Sequence, residues 1–188
     1  MNSLYKLTAD AKEYLSRYYD ILEEMISGMT DALLAESISR NFIVQMIPHH
    51  MAAIEMSENI LKYTSLRPLI KIAEGIISEQ TESIDNMLKA KPQCGRLFNT
   101  PYDLSLYMKR FSFIADAMFS EMGSAYADNN ISADFMREMI PHHRGAVRMC
   151  ENALAFDICP ELKPIMYKII SSQNEGITEM EVLLSKII

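Results

Sequence analysis

Residues 46–56 read M-I-P-H-H-M-A-A-I-E-M and residues 139–149 read M-I-P-H-H-R-G-A-V-R-M, so the same Met, Pro, His-His and Met recur at a constant offset of 93. All four histidines of the chain lie in these two pairs. An α-helix turns about 100° per residue, which places Met46, His49, His50, Ala53 and Met56 within an arc of roughly 120°. The same holds for Met139, His142, His143 and Met149. Residues three or four apart on a helix have Cβ atoms about 5–6 Å apart, close enough for a thioether and an imidazole to reach one atom. That is the geometry of a small soft-metal site.

Pro48 and Pro141 interrupt both segments at the same place. If a helix runs through them, the carbonyls of Val44 and Arg137 lose their donors and the backbone opens beside the histidines. The other reading puts each proline in the first turn of a helix that starts later.

Working outward, Phe42–Leu88 and Phe135–Glu181 align without gaps at 20 identities in 47 positions, which marks an internal duplication. Methionine is abundant, and ten of the fourteen internal residues pair across the offset: Met25 with Met118, Met29 with Met122, Met46 with Met139, Met56 with Met149 and Met87 with Met180. Thioethers commonly fill irregular cores, which accounts for any one of them but less well for their repetition.

The pattern predicts six helices, three per repeat. Helix 1 starts after Thr8 and carries Met25 and Met29 on one face. Helix 2 starts after Ser39 and ends before Tyr63–Arg67, and helix 3 begins near Pro68, with Gln80 the only polar member of its apolar stripe. A buried amide needs partners, and an imidazole N–H is a natural one for Gln80 and its twin Gln173. Residues Lys89–Thr100 read as a connector, and Thr100-Pro101-Tyr102-Asp103 as the start of helix 4. Helix 5 follows Ser132, and helix 6 runs from about Pro160 to the end. The expected organisation is a first repeat at 1–90, a linker at 91–100 and a second repeat at 101–188, together one compact all-α domain. Its second and third helices form a pseudo-twofold four-helix bundle with helices 1 and 4 alongside.

At 188 residues and 23% charged, 49% apolar composition, the chain is globular rather than disordered. A net charge of −7 argues against a nucleic-acid partner and favours cations. No stretch is long and apolar enough for a membrane span or a signal peptide, so the sequence as written reads as cytoplasmic, or as periplasmic or extracellular if it is trimmed from a longer one. Cys94, Cys150 and Cys159 form no C-x-x-C and are odd in number, which predicts no disulfide framework.

Thioethers select Cu(I) and its analogue Ag(I), whereas imidazole also accepts zinc and nickel, so a mixed set points first to monovalent copper. Carboxylates are expected to be missing from the inner faces, with Glu55, Glu58 and Glu82 directed outward. The Glu-x-x-His motif of di-iron bundles is absent from both repeats, as are the oxygen clusters of calcium or magnesium sites.

M-I-P-H-H-M-A-A-I-E-M followed by I-I-S-E-Q-T-E-S-I-D-N-M resembles the pattern of the DUF305 family, a ferritin-like all-helical group with copper-binding members, over both repeats. The resemblance implies a ferritin-like bundle. It also implies Cu(I) or Ag(I) ligation by Met46, His49, His50, Met56, Met139, His142, His143 and Met149, and adds Met25, Met29, Met118 and Met122 through a Met-x-x-x-Met habit of helix 1. Met87 and Met180 join this set as further sulfur donors, with Gln80 and Gln173 steadying the ligands. This chain departs from the pattern at Ser83 and Gly176, where the family usually has Glu. Most members are exported, whereas this sequence shows no export signal.

The expected function is therefore a metal-binding protein that sequesters copper or silver, or exchanges it with a donor or acceptor protein, and is not an enzyme. The alternatives are a helical scaffold whose methionines are only core, and a histidine-based enzyme. For the latter, neighbouring acids, serines and a phosphate-cradling loop are lacking.

Overall fold

The computed structural model describes residues 6–188 as six helices: α1 Ala9–Thr30, α2 Ile38–Ile60, α3 Arg67–Cys94, α4 Pro101–Gly123, α5 Ile131–Leu154 and α6 Lys163–Leu184. The first five residues, on which the expectation about an export signal partly rests, lie outside the described residues. No described helix is long and apolar enough to cross a membrane.

Two helix starts fall where the sequence puts them. Thr8 Oγ1 accepts from Ala11 N at 3.2 Å and Thr100 Oγ1 from Asp103 N at 3.1 Å, each satisfying one of the open N–H groups of a first turn. Helices α2 and α5 begin earlier than expected, capped by Ser37 and Asn130. Ser39 lies inside α2 and is fully buried, where its hydroxyl accepts from Cys159 N at 2.9 Å. Ser132 Oγ is bonded to Thr64 Oγ1 at 2.9 Å. Serine is a good cap and an equally good link between elements, and its type alone does not separate the two uses. At the other end, α3 runs through Pro92 to Cys94, so only residues 95–100 connect the repeats. Helix α6 starts at Lys163, with Pro164 in its first turn.

The reading in which Pro48 and Pro141 open late-starting helices is ruled out. Helix α2 begins at Ile38 and α5 at Ile131, so each proline sits deep inside its helix.

Helices α2, α3, α5 and α6 form the four-helix bundle. Helix α2 packs on α3 and α5, and α6 on α3 and α5, while α1 lies along α2 and α4 along α5. The core holds Phe42, Ile43, Phe135 and Leu69 at no solvent exposure, each stabilising the fold by about 1.5–3 kcal/mol. The outer helices are bonded across the duplication. Tyr14 of α1 donates to Glu138 Oε2 of α5 at 2.5 Å, and its twin Tyr107 of α4 donates to Gln45 Oε1 of α2 at 2.8 Å. Each tyrosine carbonyl accepts from an asparagine of its own repeat, Asn59 at 3.1 Å and Asn152 at 3.2 Å.

Glycine sets the approach of the outer helices. A Cβ at Gly28 would lie 2.7 Å from the Pro48 ring, and one at Gly145 would overlap Met118 Sδ and lie 2.8 Å from its Cγ.

The expectation of no disulfide is wrong: Cys94 and Cys159, 65 residues apart, are bonded, joining the last turn of α3 to the loop before α6. The two cysteines are not twins under the offset of 93, so the duplication gave no hint of their pairing. It is the extension of α3 beyond Pro92 that carries Cys94 to that loop. Cys150 stays free and buried.

Candidate metal centre

The shared segment puts adjacent histidines about 100° apart on α2 and α5, where the two helices cross. One histidine of each pair therefore points at the opposite helix and the other turns toward α3 or α6. His49 and His142 meet across the pseudo-twofold axis, stacked with ring centroids 3.7 Å apart and planes 29° apart. His50 and His143 flank them at 5.9 Å on either side. The four imidazoles form one row, His50, His49, His142, His143, with every ring at most 2% exposed.

Hydrogen bonding fixes the tautomer of the inner pair. His49 Nε2 lies 3.2 Å from the carbonyl of His142, and His142 Nε2 lies 3.0 Å from the carbonyl of His49. A carbonyl can only accept, so each Nε2 bears the hydrogen and each Nδ1 carries a lone pair. Both Nδ1 atoms are buried without a hydrogen-bond partner, as are those of His50 and His143. At the outer positions His50 Nε2 contacts Ser83 Oγ at 3.0 Å. Gly176 stands at the twin position, and a Cβ there would lie 3.0 Å from His143 Cδ2 and 3.1 Å from Nε2.

Burial keeps the row neutral. It lowers His50 to about 3 and His142 to about 4, with His142 opposing a charge on His50 and the His49 carbonyl partly supporting one on His142. His49 and His143 are held well below the ordinary histidine value by burial first and neighbouring imidazoles second. Neutral rings with free lone pairs are the state in which imidazole ligates a metal.

The thioethers named as candidate donors are all buried in the same core. Met46, Met139, Met87, Met180 and Met29 have no exposure, and Met25, Met56, Met118, Met122 and Met149 at most 2%. Met25 borders a cavity shared with Pro48, Met51 and Ala52 on the proline side of α2, and no imidazole lines it. Its twin Met118 lies over Gly145, the counterpart of Ala52. These two side chains sit at the α1–α2 and α4–α5 seams. Gln80 and Gln173 are buried with unpartnered Oε1 atoms, and neither bonds an imidazole. For His49, His142 and His50 the partner anticipated from the glutamines is instead a facing carbonyl or Ser83, and His143 has neither.

The inner faces are not free of carboxylates. Glu138 and Asp134 of α5 are buried, at 2% and 0% exposure, whereas Glu58 and Glu82 are exposed and Glu55 pairs with Arg17. Burial pushes Glu138 up to about 8 and Asp134 to about 6. Their twins, Gln45 and Asn41, are neutral amides in equivalent bonds, and that substitution was the available signal. Tyr14 and Tyr107 were readable in the same way, as a pair at the offset.

Among the described residues no three His, Cys, Asp or Glu side chains converge as a metal cluster, so a hard divalent ion has no oxygen cage. What remains is a buried row of neutral imidazoles with unpartnered Nδ1 atoms, in a core that also holds the methionines. Such a donor set suits a soft cation.

The model of the family described as "Domain of unknown function (DUF305)" matches residues 21–91 and 115–186, one match per repeat. A crystal structure of a DUF305 fragment from Deinococcus radiodurans is similar at 23% identity and a TM-score of 0.57, covering 80% of this chain and 97% of that one. CopM in its Ag-bound form, obtained by soaking, is similar at 28% identity and a TM-score of 0.59, covering 81% and 98%. No curated protein matches the chain.

Proposed function

The chain belongs to the DUF305 family, and from that premise we propose that it binds a soft monovalent cation, Cu(I) or Ag(I), through imidazole Nδ1 atoms and flanking thioethers, and holds or passes on the ion without chemistry of its own. One observation carries the reading: His49 and His142 each spend their Nε2–H on a backbone carbonyl and keep a buried, unpartnered Nδ1 lone pair. Metal-bound histidines are held in this way, with the second ring nitrogen fixing tautomer and orientation. An orphaned acceptor in a dry interior otherwise costs about 1–3 kcal/mol. Met46 and Met139, one turn before His49 and His142 and fully buried, are the sulfurs the helical spacing offers to complete the set. The similarity to CopM, whose structure holds silver, points the same way. The Cys94–Cys159 disulfide supports a working place in an oxidising compartment, such as the periplasm or the cell exterior.

Titration of the purified protein with Cu(I) in competition with bicinchoninate tests this. The protein should withdraw copper from the chelator, and His49→Ala combined with His142→Ala should weaken uptake sharply while the helical circular dichroism persists. No competition by the unmodified protein refutes the reading and leaves a helical scaffold with a methionine-rich core.

A further inference from the structure

The two ends of the histidine row differ, although the duplication would make them alike. His50 borders a cleft of about 210 Å³ between α3 and α6 that is also lined by Glu79, Glu82, Ser83 and Lys168. Ser83 Oγ holds the Nε2 of that ring, and Lys168 is tied to Glu82 at 2.7 Å. His143 borders a second cleft, of about 90 Å³, with Lys71, Glu79, Glu175, Gly176 and Glu179. Three carboxylates here face one ammonium, and glycine replaces the serine. Among the described residues His143 has no hydrogen-bond partner on either nitrogen, although the residue is only 2% exposed.

Gly176 lies in the interior of α6, where glycine costs about 1 kcal/mol relative to alanine. Its place is explained by the ring: any side chain would start within 3.1 Å of His143 Nε2.

We infer that the cleft formed by Lys71, Glu79, Glu175, Gly176 and Glu179 is the port through which a soft monovalent cation reaches and leaves the row, with His143 the first imidazole it meets and the His50 end closed by Ser83. This rests on the metal-binding reading above. The carboxylates concentrate cations at the mouth, a long-range effect that acts on rates more than on equilibrium affinity. His143 can turn toward the cleft without breaking a hydrogen bond. His142 and His49 then lie one and two rings further in.

Stopped-flow exchange of Cu(I) between the protein and bicinchoninate tests the port. Gly176→Ser should slow uptake and release together by about tenfold, with far less change in the equilibrium constant. Ser83→Gly should speed both by opening the other end. Glu175→Gln with Glu179→Gln, on the exposed rim where folding is not at risk, should slow uptake several-fold at low salt and lose the effect at high salt. Glu82→Gln, at the other cleft, should do neither. Normal uptake with unchanged rates in Gly176→Ser and in the rim variant overturns the port alone. Equal slowing by Glu82→Gln also overturns it, and failure of the unmodified protein to take up copper overturns the binding reading and the port with it.

Discussion

Glu138→Gln converts one repeat into the chemistry of the other. Glu138 and Gln45 are twins, each accepting a buried tyrosine hydroxyl, from Tyr14 at 2.5 Å and from Tyr107 at 2.8 Å. The amide is thus already known to fit this bond. The carboxyl is pushed up by burial from about 4.5 to about 8, against the Tyr14 hydrogen bond, which lowers it. A carboxyl raised on folding contributes stability that is fully present below its unfolded value, near 4.5, and lost as pH rises through its folded value, near 8. The folded form binds the extra proton throughout that window, so the wild type should lose about 1.4 kcal/mol per pH unit there relative to a neutral side chain. Summed over the window the upper bound is about 5 kcal/mol, on the order of the whole stability of a small domain. Urea denaturation of wild type and variant at pH 5, 6, 7 and 8 measures the difference directly, since the histidine contribution is common to both. The variant should be close to wild type at pH 5 and progressively more stable toward pH 8. Parallel stability curves, or a variant less stable at pH 8, would refute the claim that Glu138 is buried as a neutral acid.

Reducing Cys94–Cys159, or replacing both by serine, frees a 65-residue loop, worth about 4 kcal/mol in a chain-entropy estimate. The melting temperature should drop by about 8–16 °C in calorimetry; a protein indifferent to reductant would contradict the bond. Gly145→Ala should destabilise despite alanine's better helix propensity, because its Cβ collides with Met118, whereas Gly75→Ala, with nothing within 4 Å, should stabilise by about 0.5–1 kcal/mol. Chemical denaturation decides, and two stabilising results would refute the close α4–α5 approach. The histidines are depressed on folding, so their contribution is present above pH 6.5 and is lost as pH falls toward the folded values, near 4 for His142 and 3 for His50. Replacing His142 by glutamine should flatten the acid limb of the stability curve, and an unchanged limb would count against a neutral buried row.

The duplication made most of the architecture legible, since Met-x-x-His-His falls twice at one offset and helical periodicity brings those residues to one face. What the periodicity cannot say is which of two adjacent histidines faces which neighbour. The stacking of His49 on His142 is a contact between repeats, and a pattern within one repeat carries no trace of it. Glu138 and Asp134 leave no mark on the pattern that the repeats share. The informative feature was where they differ at a buried face, Gln45 against Glu138 and Asn41 against Asp134. The disulfide escaped for a related reason: Cys94 and Cys159 belong to no twin pair, and nothing in a spacing of 65 marks two chain positions as neighbours.

Imidazole nitrogen NMR of the labelled protein at pH 7, before and after one equivalent of Ag(I), bears most directly on the histidine row. His49 and His142 should show the Nε2–H tautomer without metal, and on addition their Nδ1 signals should shift strongly while both Nε2 hydrogens stay in place. Nδ1 signals unmoved by silver, or an inner pair protonated on Nδ1 from the start, would contradict the account.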